Sequence, residues 1–310
     1  MTNISLLQVI GTALVNLSLA WLIGAFVARM WLTRGAPGWC DKGVSWLHRA
    51  SFPALMICML SSFCLLWLEA AVMSEVPLWN AGAAMWMMLT ATHYGHAGLA
   101  GLAALFGLLG LHAILRKSPE SRAVNFLIAA LLLAFSLTRA IASHAGGQGA
   151  FSVAAWVEWT HLLFISLWVG SVMISGWVVL PMAEVVGQGA LSATSNFLRL
   201  LSHYATIAII GIVGTGLYNS YRGLGSIENL FGNRYGAILM LKVFLVTLAA
   251  ALGAFNKFIG LPTVLKPDTR GMDLPAALGR IVFVLRMESV VLLGVIVAAA
   301  VLTGTAPPSI

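Results

Sequence analysis

Apolar residues run in eight long blocks, at about 5–31, 46–72, 88–115, 124–143, 155–181, 200–221, 235–260 and 281–304, and most charged residues fall between them. Each block is close to or above the roughly 20 residues that an α-helix needs to cross a bilayer. None shows the ten-residue alternation of an outer-membrane strand. Lipid offers backbone N–H and C=O groups no partner, so helices are what remains. The pattern predicts an all-α polytopic membrane protein with eight transmembrane helices.

Composition sharpens this picture. The 310 residues are 60% apolar and 9% charged, against about 25% charged in a soluble domain, and the mean hydropathy is +0.95. The short inter-block stretches leave no room for a large water-soluble domain. The net charge of +7 reads as topology, because Lys and Arg collect on the cytoplasmic side of membrane proteins. Arg29, Arg34, Lys42 and Arg49 lie between helices one and two, and Arg116, Lys117 and Arg122 between three and four. Arg199 lies between five and six. Lys257, Lys266, Arg270, Arg280 and Arg286 lie between seven and eight. That side is expected to be cytoplasmic and both termini periplasmic, in a bacterial inner membrane. No basic run with interleaved aromatics appears, so no nucleic-acid partner is expected; membrane lipid surrounds the chain instead. Too long an apolar run and no preceding Lys or Arg argue against a cleaved signal peptide.

A faint repeat runs through the chain. Thr92-His-Tyr-Gly-His96 opens the third helix and Asn233-Arg-Tyr-Gly-Ala237 the seventh. Leu22-Ile-Gly24 in the first helix echoes Trp168-Val-Gly170 in the fifth. Two parallel four-helix halves, 1–150 and 151–310, follow from it, as in some transporters.

The candidate chemistry lies on the periplasmic side. His93 and His96, three apart, project from one helix face and follow Met85, Met87 and Met88 closely. Imidazole and thioether together suit a soft ion such as copper(I); methionines filling core gaps are the competing reading. His144 ends the fourth helix and His161 lies two turns into the fifth, so the two converge if those helices are antiparallel neighbours. Lys242, Glu288 and Arg139 are costly in a membrane, and Glu69 and Glu158 are the expected outer ion-pair partners. Cys40, Cys58 and Cys64 form no CxxC pair, and Cys58 and Cys64 are read as core packing. No phosphate loop, HExxH or GxSxG occurs, so the chain is read as a transporter and not an enzyme.

From about Phe197 to Val301 the chain resembles the CopD/PcoD/YcnJ family of bacterial copper-resistance and copper-uptake membrane proteins. The matching pieces are Phe197-Leu-Arg-Leu200, Gly214-Thr-Gly-Leu-Tyr-Asn219, Tyr235-Gly236, Leu241-Lys242, Asn256-Lys257, Arg286-Met-Glu288 and Thr303-Gly-Thr-Ala-Pro-Pro308. Ser143-His-Ala145, His161 and Leu167-Trp-Val-Gly170 resemble its central region. The resemblance implies transport of copper from periplasm toward cytoplasm, often beside a periplasmic CopC-type carrier. The ligand candidates are then His144 and His161 first, His93 and His96 second, and Met85, Met87 and Met88 as a capture patch. Histidines near both faces also resemble a b-type cytochrome. Its haem b groups would use an outer set (His96, His144, His161) and an inner set (His48, His112, His203) and carry electrons across the membrane.

Overall fold

The computed structural model describes residues 3–32, 39–115, 121–143, 149, 151–184, 191–265 and 274–308. The helices are α1 (Asn3–Leu32), α2 (Trp39–Met73), α3 (Ala81–Ala91), α4 (His93–Leu115), α5 (Arg122–Ile141) and α6 (Val153–Ile174). They continue with α7 (Leu180–Glu184), α8 (Leu191–Leu224), α9 (Arg234–Phe255), α10 (Leu261–Leu265) and α11 (Leu274–Thr303). A π-turn, Ser175–Val179, joins α6 to α7, and another, Asn256–Gly260, joins α9 to α10. Counting each joined pair once, eight helices are long and apolar enough to span a membrane. No strand occurs among the described residues. The chain is a multi-pass membrane protein, and eight crossings return it to the face where it began. The end of α1 and the start of α2, with Arg29, Lys42 and Arg49, mark the opposite, basic face.

Two boundaries differ from the apolar pattern. The third block does not begin at 88: Thr92 adopts an extended backbone and ends α3. Its Oγ1 then accepts the Gly95 N–H at 2.9 Å and caps α4. The last helix starts at Leu274 and not near 281. Glu288 therefore lies roughly four turns in, close to mid-membrane, and not a turn or two from the end.

The matched segments share local features. Asn233 Oδ1 accepts the Gly236 N–H at 2.8 Å, so Asn233 and Thr92 cap the third helix of each half in the same way. Gly95 and Gly236 then press on the preceding short helix: an added Cβ would come within 2.1 Å of Met88 O and 2.3 Å of Leu230 O. Gly24 and Gly170, the other matched pair, touch each other. A Cβ on Gly170 would sit 1.9 Å from Ala20 O, and one on Gly24 2.3 Å from the Gly170 carbonyl carbon. Small residues are what allow such backbone contact between membrane helices. The helix pairs agree: α1 packs on α2 as α6 packs on α8, and α4 on α5 as α9 on α11.

One apolar core joins α1, α2, α6, α8, α9 and α11, and a second lies within α1, α2, α4 and α5. Around them Phe106, Phe126, Leu217, Phe244 and Phe283 are exposed, as side chains facing lipid are. Trp31 closes the basic end of the α1–α8 contact against Phe197 and Tyr204, with ring centroids 5.5 and 5.2 Å away.

Candidate metal path through the second half

Of the described histidines His93, His96 and His161, only His161 is buried. Its Nδ1 lies 2.8 Å from Thr215 Oγ1 on α8. That hydroxyl is 2.6 Å from its own i−4 carbonyl, Gly211 O. A hydroxyl has one proton to give, and the carbonyl can only accept it. The Thr215 oxygen therefore accepts from Nδ1–H, which leaves Nε2 as the nitrogen with a lone pair to offer. A histidine held this way by its other nitrogen is arranged as metal-ligating histidines are. The glycines of α8 make the approach possible: Gly211 lies under the Phe164 ring, and a Cβ on Gly216 would be 3.4 Å from His161 Cε1.

One turn nearer the end of α6, Glu158 Oε2 accepts a hydrogen bond from Asn219 Nδ2 at 2.8 Å. Lys242 on α9 interacts electrostatically with both Glu158 and His161. Lys242 thus faces the expected acidic partner Glu158, without a direct salt bridge among the described residues. Glu69 accepts from Gln8 Nε2 at 3.0 Å, and Glu288 from the Trp168 indole at 2.8 Å. Neutral donors satisfy these carboxyl groups without a second charge having to be desolvated.

The remaining candidates do not converge. His93 and His96 are exposed on α4, and His96 Nε2 is 3.1 Å from Thr90 O. Met85 and Met88 are buried against Leu66 and Ala70 of α2, whereas Met87 is exposed beside Trp86. The three methionines therefore lie on the short helix α3, two on its buried face and one on its exposed face. His144 lies outside the described residues. Among those described, no three His, Cys, Asp or Glu side chains are grouped to hold a metal ion.

Two cavities occupy matched places on the basic side of the halves. The first, about 70 Å³, lies among α1, α2, α4 and α5 and is lined by Arg29, His48, Ser51 and His112. The His48 and His112 rings stack there with centroids 3.9 Å apart and 8° between planes. Arg29, buried at the cavity wall, donates to Asn125 Oδ1. The second, about 280 Å³, lies among α6, α8, α9 and α11, with Trp168, Thr206, Asn256, Lys257 and Glu288 at its polar positions.

Residues 195–302 match copper resistance protein D, and residues 1–153 match the copper resistance protein D-like, N-terminal domain. The chain belongs to the copper resistance protein D family. No curated protein and no solved structure matches it. Thr215, Asn219, Lys242 and Glu288 fall in the copper resistance protein D match, while His161 and Trp168 lie between the two matched regions. Sequence reasoning named His161, Lys242 and Glu288 but gave no role to Thr215, Asn219, Asn256 or the Trp168 indole. Their trace was present: Thr215 and Asn219 are polar residues one turn apart in the apolar run of α8, where each must find a partner.

Proposed function

We propose that this copper resistance protein D family member carries copper ions through the bacterial inner membrane, receiving them at the periplasmic face and passing them toward the cytoplasm. The observation that carries the reading is the presentation of His161. Its ring is buried between α6 and α8, fixed at Nδ1 by Thr215, with Nε2 left to ligate. A neutral imidazole suits a borderline or soft ion. His144, His93, His96 and Met87 are the other proposed ligands, of which His93, His96 and Met87 stand on the outside to capture the ion; Met85 and Met88, expected as part of the capture patch, are proposed to pack against α2 instead. Several sites of modest affinity let an ion enter without being trapped. A periplasmic CopC-type carrier is the proposed donor of copper, both termini are proposed to be periplasmic, and the halves 1–150 and 151–310 are proposed as the units of the protein. No catalytic step is assigned.

The haem alternative has less support. His48 and His112 lie in direct ring contact, with no space for a porphyrin plane between them.

The test is copper(I) binding by the purified protein in detergent, measured by competition with a chromophoric chelator, together with copper uptake by cells. Replacing His161→Ala is expected to lower affinity at least ten-fold and abolish uptake at unchanged expression. Unchanged affinity and uptake would remove His161 from the path and this reading with it.

A further inference from the structure

The 70 Å³ cavity of the first half is polar at one end and apolar at the other, and its helices agree on which end is which. Arg29 on α1, His48 and Ser51 on α2 and His112 on α4 line it toward the basic face. Leu22, Leu55, Leu108 and Leu132 line it on the side of the bilayer middle. Arg29 stands three residues before the end of α1, His112 three before the end of α4, and Asn125 three after the start of α5. At 1.5 Å per residue each is about 5 Å inside its helix end, where a bundle passes from hydrocarbon into headgroups.

The polar end is positively charged. Arg29 is only 5% exposed, and its Nη2 donates to Asn125 Oδ1, which orients the guanidinium at the cavity wall. The imidazoles of His48 and His112 stack with centroids 3.9 Å apart and 8° between planes, so each ring holds the other in place. No acidic side chain is among the described residues that line the cavity. Lys42, Arg49 and Arg122 are exposed at the same end of the bundle, with Asp41 beside them.

The fold itself does not demand this set. Counted from the matched glycines Gly24 and Gly170, Arg29 corresponds to Ser175; counted from Gly95 and Gly236, His112 corresponds to Gly253. The second half packs the corresponding helices with neither group. A guanidinium and two imidazoles gathered in one half alone point to a ligand, and their charge to an anion.

The stack is also the edge of the cavity that meets lipid. His48 and His112 are both half-buried, and the exposed Phe52 ring has its centroid 5.8 Å from that of His112. We propose that the cavity takes the phosphate group of an anionic phospholipid from the leaflet at the basic face. The guanidinium fork matches two phosphate oxygens, and a neutral imidazole has one N–H to donate. A space of about 70 Å³ admits the phosphate group and leaves the glycerol and acyl chains outside, along Phe52. The surrounding Lys42, Arg49 and Arg122 favour a lipid of net negative charge over a zwitterionic one. The site does not depend on the copper reading.

The experiment is native mass spectrometry of the full chain released from micelles doped with equal amounts of phosphatidylglycerol and phosphatidylcholine. Wild-type protein is expected to retain one phosphatidylglycerol several-fold more often than phosphatidylcholine, and to melt several degrees higher when phosphatidylglycerol is added. Arg29→Gln is expected to bring the two lipids to equal retention. So is the double variant His48→Phe with His112→Phe, which keeps two stacked rings and removes their N–H groups. Equal retention by the wild type overturns the proposal. An undiminished preference in either variant, provided that it melts like the wild type in detergent alone, overturns it as well, and the double variant decides should Arg29→Gln fail to fold. Inorganic phosphate is the other arm: if it raises the melting temperature as much as phosphatidylglycerol at the same concentration, the cavity is a free-anion site and the lipid assignment falls.

Discussion

At the scale of single residues, the informative contact is the one that uses up a proton. Thr215 gives its hydroxyl proton to Gly211 O and receives the one on His161 Nδ1, which determines the nitrogen that faces away from α8. Thr215→Val keeps the shape and removes the acceptor. Copper(I) affinity is expected to fall roughly 10–100-fold, the range seen when the second hydrogen bond of a ligating histidine is lost, and Thr215→Ser is expected to restore it. Chelator competition on the three proteins checks this, and equal affinities would mean that the bond serves packing alone. Lys242 and Glu288 illustrate a different point. Both stand out in the sequence as charges in apolar runs, yet they are far from being each other's partner: one acts on Glu158 near one face, the other binds Trp168 in mid-membrane.

At the scale of elements, α3 changes the meaning of the methionines. Met85 and Met88 are three apart and share the face packed on α2, while Met87 falls on the opposite side with Trp86, as a period of 3.6 residues dictates. Replacing Met85 or Met88 by Ala is expected to destabilise the protein by about 2–5 kcal/mol, since each empties a packed site. Met87→Ala is expected to leave stability unchanged and to slow copper capture at low copper concentrations. Melting curves and initial uptake rates distinguish the two effects; a stable Met85→Ala protein with slowed uptake would instead place Met85 among the ligands. The two π-turns, in α6 and α9, are features that hydrophobic periodicity did not disclose. Both face α11, where Arg286 reaches a carbonyl of the first and Gly260 of the second packs on Ile281.

At the scale of the whole molecule, the contact of α1 with α6 joins the two halves. Gly24 and Gly170 allow backbone to meet backbone there, with a core that draws on both sides of the contact. Gly170→Leu would drive a side chain into Ala20 O, and the helices must separate to admit it. Overpacking of this kind costs about 1–3 kcal/mol or more, so the variant is expected to melt several degrees lower and to be recovered from membranes in reduced yield. Wild-type melting in that variant would show that the halves can slide past one another. A cavity lies among α1, α2, α4 and α5 and another among α6, α8, α9 and α11, yet the linings differ: stacked imidazoles and an arginine in one, a carboxyl group and a lysine in the other.

The sequence by itself determined the class of the molecule and its eight spans, because bilayer thickness turns apolar length into a count. The segments that begin at Thr92 and Asn233 were legible as a matched pair, as were Gly24 and Gly170. It also singled out His161 and Glu288, since polar groups in apolar runs are conspicuous. Only the tertiary structure decided what those groups meet. Whether His161 faces Thr215, whether Glu288 finds a cation or an indole, and whether Met85 points inward depend on helix rotation and on neighbours on other helices, 54 residues away for His161 and 120 for Glu288. Local periodicity holds no information about such neighbours; the packing of α6 against α8 and α11 supplies it.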